Sequence, residues 1–269
     1  MNSKRNHNVI LQILSAAIFL FVSTVVVEAR TVYTSQDGNF MWNNLWVLNN
    51  QWGREKALNA DWYQRVVLED NNTISFEYKW DSRDYYIMGY PALIAGWHWG
   101  YRTPMGAFGL PSRVGDKQSY IVSANLSHKN DGNYPEYLNV SWDIWLGTSD
   151  NPSEPNCEIM VWSWYTNQIP DGKLQGQITA CGTQWDVYRY KVGIDSGGPA
   201  WNSFAFLRKT PTLEPAGNLG ELIGYLRSRG WLQDNDRIVG IEFGTELGRG
   251  QGSFRISNYS FTVPATGTR

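Results

Sequence analysis

Between Phe40 and Val263 the sequence breaks into short stretches rich in Val, Ile, Thr, Tyr and Trp, each closed off by Gly, Asn, Asp or Pro. Segments of that length, bounded by turn formers, are strands of an antiparallel sandwich or barrel. The pattern predicts strands over 40–48, 65–68, 73–80, 92–100, 119–126, 136–146, 158–165, 175–180, 185–192, 201–208, 238–245 and 254–263. The runs Lys129-Asn130-Asp131-Gly132-Asn133 and Pro170-Asp171-Gly172 read as hairpin loops between them. No internal repeat, linker or low-complexity stretch interrupts the series. One segment departs from it: from Asn218 to Trp231, Leu219, Leu222, Ile223 and Leu226 recur at helical spacing, and Gly230 supplies a stop. A single amphipathic helix packed on the back of a sandwich fits.

The first 29 residues read differently. Lys4, Arg5 and His7 precede an apolar run from Val9 to Val27 that ends Val27-Glu28-Ala29. This is the plan of a secretory signal cut after Ala29, with residues 30–269 as one catalytic-size domain. The run is also long enough to serve as an uncleaved anchor. Secretion is the expectation, with no membrane contact once the signal is removed.

The 23 basic and 25 acidic residues are well mixed and leave a net charge of −2, so no basic stripe points to nucleic acid and no charge block to a disordered tail. Cys157 and Cys181 are the only cysteines, and an oxidising compartment permits a disulfide between them without requiring one. With His7, His98 and His128 scattered, the chain shows no metal-site spacing, and neither metal nor cofactor is expected. Sequons stand at Asn71, Asn125, Asn139 and Asn258. The 14 Trp and 15 Tyr exceed what a core of this size needs, so some should be surface platforms.

The strand around Cys157–Tyr165 sharpens this. With a period of two, Glu158, Met160, Trp162 and Trp164 share one face, and Cys157, Ile159, Val161 and Ser163 the other. A carboxylate, a thioether and indoles in a row make a poor solvent face and an odd interior, but suit a sugar-binding cleft. A buried Trp/Met strand with Glu158 at a frayed start is the plainer alternative. Asp143 lies inside the apolar Trp142-Asp143-Ile144-Trp145, where a carboxylate needs a partner. Glu242 and Glu246 share a face of Gly240–Gly248. Paired carboxylates in an aromatic cleft are the equipment of glycoside hydrolysis, one acting as nucleophile or base and the other as acid. Asp195-Ser196-Gly197-Gly198 lacks the setting of a nucleophile elbow, and no phosphate loop or HExxH is present. His98 could orient a carboxylate or a sugar hydroxyl; a structural histidine is the alternative.

The segments Asn49-Asn50-Gln51-Trp52-Gly53, Gly96-Trp97-His98-Trp99-Gly100, Trp142-Asp143-Ile144-Trp145, Cys157-Glu158-Ile159-Met160-Val161-Trp162 and Glu242-Phe243-Gly244-Thr245-Glu246 occur in that order. Together they resemble the signature segments of glycoside hydrolase family 12, the small endo-β-1,4-glucanases and xyloglucan-specific endoglucanases, over about residues 40–263. The resemblance implies an all-β jelly-roll sandwich of two stacked antiparallel sheets, with a concave substrate groove and one helix packed behind. It also implies a retaining double displacement on a β-glucan polysaccharide; a monomer is expected. Glu158 matches the family nucleophile, Glu246 the general acid/base and Asp143 the acid that hydrogen-bonds the nucleophile. Trp52 and Asn50 match glucose-binding positions on the non-reducing side; Met160 and Trp162 follow the nucleophile on its face.

Trp46, in Asn43-Asn44-Leu45-Trp46, is set aside because Val47 replaces the glycine. Glu242 is a lesser candidate for the acid/base. Leu247-Gly248 stand where many relatives carry Pro-Phe, which puts the aglycone-side contacts in doubt. The expected activity is endo-hydrolysis of cellulose-type or mixed-linkage β-glucan. Alternatives are a xyloglucan-specific enzyme, with the choice made by loops 101–116 and 149–155, and a non-catalytic carbohydrate-binding sandwich.

Overall fold

The structure is a computed structural model that describes residues 30–36, 39–69, 72–82, 86–132, 135–193 and 200–264. The signal segment, the sequon at Asn71 and the Asp195–Gly198 run fall outside these residues.

Among the described residues fifteen strands and one α-helix form, in chain order. They are β1 (Arg30–Tyr33), β2 (Asn39–Trp42), β3 (Leu45–Asn50), β4 (Tyr63–Glu69), β5 (Ile74–Trp80), β6 (Tyr90–Gly96), β7 (Ser112–Arg113) and β8 (Ile121–Asn130). There follow β9 (Tyr137–Gly147), β10 (Cys157–Thr166), β11 (Lys173–Ala180), β12 (Thr183–Val192), β13 (Trp201–Arg208), β14 (Ala216–Asn218), α1 (Leu219–Ser228) and β15 (Arg237–Thr262). No helix among the described residues is long and apolar enough to cross a membrane.

The larger sheet runs β2-β3-β6-β15-β9-β10-β13-β12-β11, and the smaller carries β1, β4, β5, β15, β8 and β14. The strand β15 belongs to both. Its first half pairs with β6 and β9 and its second half with β5 and β8. Where the sequence suggests two strands, over 238–245 and 254–263, the structure has one. The crossing lies at Gly248-Arg249-Gly250, where Gly250 takes φ +132°, open to glycine and strained for other residues.

Other differences have local causes. The expected strand over 40–48 is a hairpin, because Asn43 and Asn44 adopt φ +50° and +66°, the left-handed pair of a two-residue turn. The strand over 92–100 stops at Gly96, φ +87°, so Trp97–Gly100 form a turn. The sheets are antiparallel except for β10 and β13, which pair in parallel. A bulge between Trp162 and Trp164 turns Trp164 over to the core, where it meets Phe254 and His128, and Tyr165 takes its place beside Met160 and Trp162. Trp164 is therefore not on the Glu158 face.

One continuous apolar core fills the space between the sheets. The helix closes its edge: Asn218 caps Gly220 N, and Leu219, Leu222, Ile223 and Leu226 are all buried. Tyr225 and Trp231 meet Phe206 and Phe204, on the core face of β13. The cysteines stay free, Cys157 in the core and Cys181 near the β11–β12 turn, its thiol donating to Asn218 O.

Candidate active site

The face of the larger sheet that points away from the core is nearly as buried as the core. Glu158 is 8% exposed, Met160 4% and Ala205 0%, with Tyr165, Tyr188 and Tyr190 packed around the last two. Aromatic side chains cover part of this face, and the twist of a nine-stranded sheet makes it the concave side, a trough. Three small apolar clusters line it: Leu48, Tyr90, Ala92 and Ile94 with Trp46; Met160, Trp162, Ala205 and Leu207 with Tyr165, Tyr188 and Tyr190; and Trp97, Trp145 and Val239 with Tyr101 and Trp201.

The register arranges the trough in rows. Trp46, Ile94, Glu242, Asp143, Met160, Ala205 and Tyr188 are successive cross-strand partners. On one side of this row lie Trp145, Glu158, Ser203 and Tyr190. On the other lie Leu48, Ala92, Gly244, Ser141, Trp162 and Leu207, followed by Glu246 opposite Asn139. In the middle, Gly244 makes room for the Tyr90 ring, whose hydroxyl donates to Ser141 O at 3.0 Å, and Glu158 and Glu246 lie on either side of this stretch.

Glu158 is held by a neighbouring strand. Its Oε2 accepts the Trp201 indole N–H at 3.1 Å and the Ser203 hydroxyl at 2.9 Å. Burial pushes its carboxyl above the usual range; those two bonds pull it back, and the charge of Glu242 pushes it up again. Glu246 accepts a hydrogen bond from Asn139 Nδ2, and Asn139, itself fully buried, is steadied by Gln168 and Ser141. Burial lifts the Glu246 carboxyl to about 7; Asn139 opposes the shift, and the charges of Glu158 and Asp171 add to it.

Asp143 is pushed well above the carboxylate range by burial and by the charges of Glu158, Glu242 and Glu246, and its Oδ1 has no partner. The Tyr190 phenol, lifted first by burial, is raised further by Glu158, Glu246 and Asp143, so the three carboxylates share one space.

His98 lies 2.7 Å from Glu242, Nδ1 to Oε1, with both side chains buried. The sequence leaves Glu242 as a lesser acid/base candidate; this pairing gives the carboxylate a partner of its own. Trp52 is 43% exposed at the end of β3, edge-on to Tyr86 at 5.4 Å. Beneath it a buried amide network ties Asn49 and Gln51 to Gln64, whose Nε2 donates to Asn50 O. Asn50 itself is half-buried opposite Tyr90. Met160 and Trp162 lie in the trough wall, almost fully covered. Trp46, set aside in the sequence, faces the same trough.

Sequence reasoning passes over Trp201, Ser203 and Asn139, the residues that hold the two glutamates. The available signal is modest: Trp201 and Ser203 share a strand face, as do Asn139, Ser141 and Asp143. Among the described residues no group of His, Cys, Asp and Glu is arranged to hold a metal ion.

The chain is similar to known glycoside hydrolases over most of its length. The profile of glycosyl hydrolase family 12 matches residues 41–264. Endoglucanase S of Pectobacterium parmentieri is 29% identical over 263 residues, covering 94% of this chain and 96% of its own length. A probable xyloglucan-specific endo-beta-1,4-glucanase A of Aspergillus fumigatus is 23% identical, covering 93% and 99%. Among solved structures, the native family 12 xyloglucanase of Bacillus licheniformis superposes with a TM-score of 0.79 at 27% identity, covering 87% of this chain and all of that one.

Proposed function

This chain belongs to glycosyl hydrolase family 12, a family of retaining glycoside hydrolases, and we propose that it cleaves the interior of β-1,4-linked glucan chains. The observation that carries the proposal is the placement of Glu158 and Glu246 on one open face, either side of β9, with their electrostatics set apart. Glu246, with its carboxyl near 7, holds a proton through mildly acidic pH and acts as general acid on the glycosidic oxygen. Glu158 is kept available as an anion by Trp201 and Ser203 and attacks the anomeric carbon. Asp143 stands on the strand beside the nucleophile, where burial and the neighbouring carboxylates push its carboxyl toward the neutral form. Once the leaving sugar departs, Glu246 takes a proton from water, which opens the glycosyl-enzyme with net retention.

Trp52 and Asn50 receive glucose units at one end of the trough, Met160 and Trp162 back the reacting sugar, and His98 acts on the site through Glu242. Unbranched and mixed-linkage glucan are the first reading of substrate. Xyloglucan is the second, favoured by the exposed ring of Trp99. Residues 1–29 direct secretion, where such polymers are met.

The test is E158Q assayed on soluble β-glucan, with the anomeric form of the first product followed by NMR. Abolished turnover with oligosaccharide binding intact, and a β-configured product from the wild type, are expected. An E158Q enzyme with near wild-type turnover would overturn the nucleophile assignment.

A further inference from the structure

Trp99 is a bulky residue in a place that suits glycine. Its φ is +45°, in the left-handed region that side chains larger than Asn rarely adopt, and the residue is 42% exposed. Neither the conformation nor the exposure of an indole is what folding alone selects. The surroundings nevertheless fix it firmly. The ring stacks on Trp97 at 5.1 Å, meets Trp145 edge-on at 5.0 Å and touches the His98 ring at 5.1 Å. The turn beneath is braced by His98 N donating to Gly100 O and by Thr103, whose hydroxyl accepts Gly96 N while its own N–H reaches Gly96 O.

This platform belongs to the trough. Trp145, against which Trp99 rests, stands 6.0 Å from Trp201, and Trp201 donates to Glu158. Its position along the trough is set by topology. The strands β3 and β6 are antiparallel neighbours, Asn50 facing Tyr90 and Trp46 facing Ile94. Trp52 follows the end of β3 and Trp99 follows the end of β6, so the two exposed indoles belong to opposite strand ends, which lie about 20 Å apart over the length of β6. A polymer crossing the strands between Glu158 and Glu246 passes between them. If its ring faces lie on one platform, the other meets whatever projects sideways.

The same rim is where the two loops flanking the trough are joined. The Trp97 indole donates to Pro152 O at 3.0 Å, and the Tyr101 hydroxyl to Asp150 O at 2.9 Å.

We propose that Trp99 is the stacking platform for a sugar branch carried on the glucan backbone, as in xyloglucan, on the Glu158 rim of the trough. This rests on the glucanase reading above and adds the substrate class to it. Pyranose faces and indole faces are flat apolar surfaces of matching size, and the Trp97–Trp145 wall orders the ring before the sugar arrives, which reduces the entropy lost on binding.

The test compares wild type, W99A and W99G on xyloglucan and on unbranched carboxymethylcellulose, with thermal unfolding of all three. In both variants kcat/KM on xyloglucan is expected to fall about tenfold or more, chiefly through KM, and to stay within about twofold on the unbranched polymer. Both variants give up the ring contacts with Trp97, Trp145 and His98, and W99G is expected to unfold no earlier than W99A, because glycine relieves the left-handed backbone that alanine keeps. Equal losses on both polymers, no loss on either, or a wild type that cleaves only the unbranched one would overturn the proposal. If the wild type cleaves neither, the glucanase reading fails on its own; calorimetric binding of a branched xylogluco-oligosaccharide, lost in W99G or unchanged, then decides the role of Trp99.

Discussion

Trp201 and Glu158 are joined by an indole N–H donating to a carboxylate oxygen across a parallel strand pair, at 3.1 Å. A parallel partner brings residue 201 beside residue 158 although 43 positions separate them. The bond, with that of Ser203, stabilises the anionic form of a carboxyl that burial otherwise pushes toward protonation. Removing it with W201F should lower kcat by about 10- to 100-fold, the range for a hydrogen bond to a charged group. KM should change less, and S203A should act in the same direction. Steady-state kinetics on a soluble glucan read this directly; an unchanged kcat in both variants sinks the argument.

Glu246 governs the alkaline side of the pH profile. Activity should fall as pH rises through about 7, where the acid loses its proton. Asn139 donates to the anionic form and so holds that value down; N139A should move the alkaline limb to higher pH, even though the buried amide also steadies the strand. A limb that moves down or stays in place contradicts the assignment.

The same shift has a stability consequence. Glu246 binds its proton more tightly folded, at about 7, than in the unfolded chain, where an ordinary glutamate titrates near 4.5. Between those values the folded state carries the extra proton, so this residue's contribution to stability declines as pH rises from about 4.5 to about 7. The variant E246Q should flatten that part of the profile and match or exceed the wild-type melting temperature at neutral pH. Calorimetry across the window checks both the sign and its position.

His98 and Glu242 form a buried pair, and removing one partner strands the other. H98A should destabilise the protein by about 1–3 kcal/mol, the cost of leaving a buried carboxyl oxygen without its hydrogen-bond partner. E242Q, nearly isosteric and neutral, should cost distinctly less. Denaturant titration of the two variants decides it.

Of the sequons in the described residues, Asn125 and Asn258 are exposed, whereas Asn139 is fully buried and bonded to Glu246 and Gln168. Folded, active protein made in a glycosylating host should therefore carry sugar at Asn125 or Asn258 and none at Asn139. Peptide mass spectrometry after secretion is the measurement.

Much of this was legible because strands announce themselves by alternation. Glu242 and Glu246 share a face as their spacing requires, and the helix buries the four residues its periodicity selects. The hidden parts are those to which periodicity is blind. A bulge adds a residue without changing composition, so Trp164 turned away from the face it was expected to share. The Asn43-Asn44 turn looks like strand until both residues take positive φ. The supports of the glutamates, Trp201, Ser203 and Asn139, depend on which strands become neighbours, and a local pattern carries no record of that.

One consequence follows from β15, which serves as a girder common to both layers of the sandwich. The layers cannot part while it stays intact, and it also bears Glu246. Local melting that spares the core while silencing the enzyme has no easy route, so loss of turnover on heating and exchange of the β15 amides with solvent should run on a single clock.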